Sequence, residues 1–260
     1  MTLSVIFDNF FKSGGGLQIL ARWGHVLVGI AWIGLLYFFN FVQTPAYAEL
    51  SPQARNEAFD KLTWRALWWF RWAAMATFLL GFLMLAIYAM ADTPAGTDNY
   101  INPTSVSGAS ILTGILFGMT MLGNVWMVIW PNQQIVIGSV RQQLAGGEAD
   151  PRQPGAAKKG ARASRANTFF SITMLWFMVF TSHFAPNYAI VGKLQNIGIY
   201  WVMVLLLWAF VEANALGLVG GLDSPFNKAV FDNHKNTIIY GFVYWAVIFF
   251  VGWEILLKNV

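Results

Sequence analysis

Residues 22–39 read RWGHVLVGIAWIGLLYFF, an almost unbroken apolar run carrying an arginine and a histidine one helical turn apart. A helix needs about 20 mostly apolar residues to cross the hydrocarbon core of a bilayer, and this run extends over 17–42 to meet that length. Five more segments do the same: 66–90, 108–130, 168–185, 196–218 and 237–257. The fourth is short and ends at HFAPNY, where Pro186 stops the helix. Composition agrees: 57% of the 260 residues are hydrophobic, 17% aromatic and only 11% charged, against roughly a quarter charged in soluble domains. The sequence therefore predicts an all-α, polytopic integral membrane bundle of about six transmembrane helices.

Residues 1–16 form an N-terminal segment that is either a short interfacial helix, through Val5, Ile6, Phe10 and Phe11, or a disordered leader. It lacks the basic start and small-residue cleavage site of a signal peptide. Residues 17–260 read as a single transmembrane domain with a basic loop at 141–167. Segments 43–65, 141–167 and 219–236 hold three, six and two Lys/Arg, whereas the alternate set holds only Lys12, Lys193 and Lys258. The positive-inside rule then places both termini outward and the basic segments in the cytoplasm, as in a multi-pass protein of the bacterial inner membrane. The loop 141–167 reads as a solvated cytoplasmic linker, with anionic lipid or a protein partner as the alternative; residues 131–145 prolong the third helix beyond the membrane. Tryptophans at 64, 68, 69, 126, 130 and 253 fit aromatic belts at span ends. Nothing suggests nucleic-acid binding.

The chain has no cysteine, which removes disulfides, iron–sulfur clusters, covalently attached c-type haem and thiolate metal sites. A cofactor would have to be held by His, Met, carboxylate or packing. At about 100° per residue, His25, Gly29 and Trp32 share one helix face, with Leu36 below them. Gly29 leaves a notch that suits either a planar macrocycle or a close helix contact. His183 lies at the outward end of the fourth span, at a depth similar to His25. Two imidazoles at one depth are the minimum for a bis-histidine haem b site, so His25 and His183 are the candidate iron ligands, with Gly29 and Trp32 beside the ring. His234, in FDNHKN, stands in a hydrated inner loop and is the weakest ligand candidate. Arg71 and Glu212 lie at similar depth from the inner face and are expected to form a buried ion pair, because either alone is costly there. The alternative for Glu212, with Asn214, is a proton path or contact with a quinone head group. Asn124 is expected to donate an interhelical hydrogen bond, and Trp64, Trp68 and Trp72 form a stripe suited to cation–π stacking on nearby arginines.

The stretches RWGHVLVGIAWIGLLYFFNFVQTPAY and LTWRALWWFRWAAMATFLLGFLML resemble the membrane domain of bacterial membrane-bound urate hydroxylases, the urate oxidase N-terminal family. The resemblance is strongest over the first 90 residues. The first helix, with His25, Trp32, Gly34, Tyr37 and Pro45, is also similar to the haem-binding protoporphyrinogen oxidases of bacteria. The hydroxylase resemblance implies a multi-span domain leading to an external cytochrome c. The sequence stops at Val260 without a cysteine, so either a separate cytochrome substitutes or the chain does something other than urate oxidation. The oxidase resemblance implies His25 as a haem ligand and nothing about substrate.

Two functional classes follow. One is a haem-b membrane redox protein, an electron-transfer protein or oxidoreductase, exchanging electrons with a soluble cytochrome c or a quinone. The other is a non-catalytic accessory subunit of a larger respiratory or oxidase complex, contacting other membrane subunits. The second draws on the lack of any complete catalytic constellation, and no catalytic residue is assigned. A transporter is disfavoured by the lack of repeats and of paired broken helices. Because the chain lacks cysteine, single substitutions report orientation without background. Asn259→Cys is expected to react with an impermeant maleimide in spheroplasts, and Glu148→Cys only after lysis; the reverse pattern would refute the assigned orientation.

Overall fold

Several helices outrun the membrane. The computed structural model describes residues 15–90, 102–185 and 194–257, all of it helix and connections with no strand. The helices are α1 Gly16–Glu49, α2 Pro52–Ala89, α3 Val106–Leu144, α4 Gln153–His183, α5 Ile197–Ala215, α6 Pro225–Phe231 and α7 His234–Leu256. Five of them (α1, α2, α3, α5 and α7) are long and apolar enough to cross a bilayer. The chain is a multi-pass, all-helical membrane protein. α1, α2 and α3 have 34, 38 and 39 residues; at about 1.5 Å per residue each exceeds 50 Å, against a hydrocarbon core of about 30 Å. The N-terminal segment expected at the interface lies, up to residue 14, outside the described residues, as does Pro186.

The surplus length projects at one end, where the three basic segments gather. α1 and α2 are joined only by Leu50 and Ser51, whose hydroxyl caps α2 by accepting from the Ala54 N–H. Arg141 near the end of α3 donates to Asp60 of α2 at 2.6 Å and stacks on Trp64. The sequence was expected to be a solvated linker over 141–167, and this is corrected: α3 runs to Leu144 and α4 begins at Gln153. Ala, Lys and Arg between 156 and 166 are strong helix formers, and Pro154 sits in the first turn, where its missing N–H is harmless. Ala156, Gly160, Arg162, Ala163 and Ala166 are buried there. Arg162 pairs with Asp232 and donates to the carbonyls of Leu222 and Asn227 at 3.2 and 3.3 Å. Lys158 pairs with Asp223 and, through that hydrogen bond first, holds its carboxyl below the usual carboxylate range. Gly217 and Gly220 take positive φ, which lets the chain turn sharply between α5 and α6.

α4 is the central stave, packed against α1, α3, α5, α6 and α7. Its fully or nearly fully buried residues include Asn167, Thr168, Ser171, Thr173 and Thr181, so the span expected at 168–185 is less apolar than the rest because protein covers most of it, leaving a strip with Leu175, Trp176 and Val179 exposed. Beside these groups is an aromatic core. Phe117 stacks on Phe170 at 5.3 Å, and Trp253 meets Phe180 at 5.1 Å and Tyr200 at 5.8 Å. Trp253 is thus interior and not part of an interfacial belt, as its 2% exposure shows.

Among the described residues four helices widen to π-helical turns: Phe59–Thr63 in α2, Val247–Leu256 in α7, and Phe38–Gln43 in α1 and Asn124–Ile129 in α3, the last two of which bear on the site. Proline follows each of these two at 45 and 131; lacking an N–H, it cannot bond the carbonyl four residues back. The preceding N–H groups of Thr44 and Trp130 reach five residues back, to Phe39 and Val125. Each of the two presents an asparagine, Asn40 or Asn124, to α4. Removing the Arg162 side chain strands two carbonyls and leaves Asp232, half exposed, without its ion pair. Arg162→Ala is therefore expected to lower unfolding stability in detergent by about 2–3 kcal/mol, and a thermal midpoint equal to the parent's would contradict that role.

Candidate functional site

The face of α1 predicted to carry chemistry is turned toward α2. His25 Nδ1 lies 2.8 Å from the backbone carbonyl of Thr77. A carbonyl only accepts, so Nδ1 bears the proton in that bond and Nε2 keeps a free lone pair. The ring lies against Gly81, where an added Cβ would stand 3.1 Å from His25 Cε1. The Gly29 gap is used by helix packing: a Cβ there would touch the Thr77 methyl at 3.8 Å. Trp32 is buried and its indole N–H has no hydrogen-bond partner. Gln18, missed in the sequence, completes this wall. Its buried Nε2 is also unbonded, and 18, 25 and 32 follow in seven-residue steps along one face. Arg22, one turn outward, donates to Tyr88 of α2 at 3.0 Å and to Ser182 of α4 at 3.1 Å.

That last bond sets the His25 turn level with the end of α4, the shared depth expected for His25 and His183. The structure does not bring the two rings together. His183 is exposed on the bundle surface, with Nδ1 3.0 Å from the Val179 carbonyl of its own helix. His234 stands at the basic end beside Phe41, with ring centroids 6.1 Å apart. Among the described residues no three His, Cys, Asp or Glu side chains gather as a metal-binding group.

The expected Arg71–Glu212 ion pair does not form. Arg71 is held by aromatic faces, its guanidinium 3.8 Å from the Trp130 ring centroid, 4.9 Å from Trp126 and 5.3 Å from Trp72. Stacking satisfies the cation without a carboxylate, though its Nε is buried and unbonded. Glu212 instead accepts from Asn124 Nδ2 at 3.3 Å, and the same amide donates to Asn167 Oδ1 at 3.0 Å. Asn167 in turn donates to the Met121 carbonyl at 2.9 Å. This chain of polar groups links α3, α4 and α5 inside the membrane, with Asn124 the interhelical donor expected of it. Asn214 is turned away, accepting from Ser224 at 3.2 Å and bonded through its carbonyl to Asn227 at 2.7 Å. It secures the loop before α6.

The comparisons with known proteins bear on this part of the chain. Residues 95–213 match the model of the urate oxidase N-terminal family. The match covers a little under half of the chain and includes Asn124, Asn167, His183 and Glu212. It lies after the stretch of about 90 residues on which the resemblance is strongest by eye, and it does not reach His25. No curated protein and no solved structure matches the chain, so the likeness to protoporphyrinogen oxidases is not supported.

The Asn124–Asn167 link can be measured by itself. A double-mutant cycle with Asn124→Leu and Asn167→Leu is expected to give a coupling of about 0.5–1.5 kcal/mol in detergent unfolding. Strict additivity of the two losses would show that the amides act independently.

Proposed function

We propose that the chain is a haem-b-binding membrane redox protein, akin to the membrane domain of urate hydroxylases. In this reading its basic end faces the cytoplasm of a bacterium and its histidine end faces outward. The observation that carries it is the bond from His25 to the Thr77 carbonyl. Metal-ligating histidines nearly always spend their second ring nitrogen this way, which fixes tautomer and ring orientation. A histidine inside a span is otherwise expensive. The residues present suit a haem: His25 would offer Nε2 to the iron, Gly81 gives the imidazole room on α2, and Trp32 and Gln18 hold two unused buried donors. Arg22 places a cation one turn outward, suited to a porphyrin carboxylate. When bound, haem b supplies a one-electron change at iron. The chain orients the imidazole, keeps water from its Nδ1 side and sets a positive charge at the outer rim. A soluble cytochrome c at the outer face, or a quinone from the bilayer, would exchange the electron.

His183 enters as a second ligand only if its exposed ring swings from the Val179 carbonyl, so the primary ligand is His25. Protein purified from haem-replete cells is expected to show a Soret band that shifts with dithionite. His25→Ala should lose it and Gly81→Leu weaken it by displacing the ring, whereas His183→Ala should retain most of it. Folded but colourless protein would overturn the haem reading and leave the accessory-subunit alternative, which co-purifying chains at fixed stoichiometry would identify.

A further inference from the structure

A cleft of about 360 Å³ opens between α3 and α5, within the membrane spans. That volume lies within the usual range for small-molecule sites. Leu116 and Met119 line its deeper part, Met127 and Leu216 the part nearer the basic end. Trp208 forms one wall, its indole held by donation to Thr120 Oγ1 at 2.8 Å. The lining is almost wholly apolar, with Thr120, Asn124 and Glu212 the polar side chains at its edge. Among the described residues, Glu212 Oε2 takes only the 3.3 Å bond from Asn124, and Oε1 bonds to no protein group. A carboxyl group with an unused oxygen at the edge of an apolar cleft inside a bilayer is costly for structure alone and points to function.

We infer that this cleft binds the head of a lipid-soluble quinol, with a ring hydroxyl donating to Glu212. Both walls are membrane helices, so the occupant arrives through lipid and needs an apolar tail that can run along Met119 and Leu116 toward the midplane. Its head must carry a hydrogen-bond donor for Glu212, and a flat ring suits the indole wall and the neighbouring methionine sulfurs. A phospholipid phosphate diester has no hydrogen to donate to the Glu212 oxygen. A lipid ammonium would find one carboxylate for three donors. Gly123 keeps the floor of the cleft open; an added Cβ would stand 3.1 Å from the mobile end of Met127. The inference deepens the quinone arm of the haem proposal, yet its test stands apart from haem, because the cleft belongs to α3 and α5 and the histidine wall to α1 and α2.

The test is calorimetric titration of decyl-benzoquinol into the full chain in phosphatidylcholine nanodiscs, which requires neither colour nor turnover. Saturable binding at one site is expected. Glu212→Leu, which removes the acceptor at similar volume, and Gly123→Leu, which fills the cleft and keeps the Glu212 carboxyl, should each weaken binding at least tenfold. Gly123→Leu carries the test by itself if Glu212→Leu does not fold. Unchanged affinity in the folded variants would overturn the inference. So would loss of quinol binding when phosphatidylethanolamine replaces phosphatidylcholine, since that would assign the cleft to a phospholipid amine.

Discussion

A polar group that enters the bilayer is costly unless it finds a partner within the protein, and α4 supplies a series of such partners. Down its length, Ser164 takes Asn40, Asn167 takes Asn124, Ser171 bonds Tyr37, Thr181 bonds Ser110 and Ser182 takes Arg22. Helices in lipid gain little from the hydrophobic effect between themselves, so close packing and such bonds decide which faces meet. With α4 inside, α1 and α3 are fixed on either flank, and the wide turns beside Pro45 and Pro131 aim an asparagine at it from each. The apolar faces left outward on α1, α2, α5 and α7 are what a bilayer covers.

Both candidate sites inherit their geometry from this arrangement. Tyr37 and Asn40 turn one side of α1 to α4, Arg22 reaches both α4 and α2, and His25 on the neighbouring face meets α2. There Thr77 and Gly81 receive the imidazole. On the other flank, Asn124 spans the gap between Asn167 and Glu212, so the carboxylate is steadied by one bond and still open to the cleft beside α5. The match to the urate oxidase N-terminal family falls on this second flank, while the histidine wall lies before it. The redox proposal thus rests on the chemistry of His25, not on the comparison.

Much of the fold was legible because hydropathy and charge act over whole segments. The spans, the helical extension past residue 130 and the gathering of basic residues at one end all follow from them. So did the shared face of His25, Gly29 and Trp32, since a helix fixes angles within itself. What could not be read was registry between helices. Arg71 and Glu212 match in depth, yet they occupy different faces of the bundle, and Trp130 reaches the guanidinium first. His183 and His25 match in depth too, but one ring faces outward and the other faces α2. The start of α4 was hidden for another reason: a helix of Ala, Lys and Arg that docks by buried small residues looks like a solvated linker. Its signal was propensity, not hydropathy.

The account turns on which nitrogen of His25 carries the proton, since that bond both orients the ring and frees the opposite nitrogen for iron. Nitrogen-15 NMR of histidine-labelled protein prepared without haem, with His25 assigned by its loss in His25→Ala, reads this directly. A proton on Nδ1, shared with the Thr77 carbonyl, is the predicted state. A proton on Nε2 would leave that carbonyl without its bond from the ring, turn the proposed ligand atom into a donor, and contradict the account.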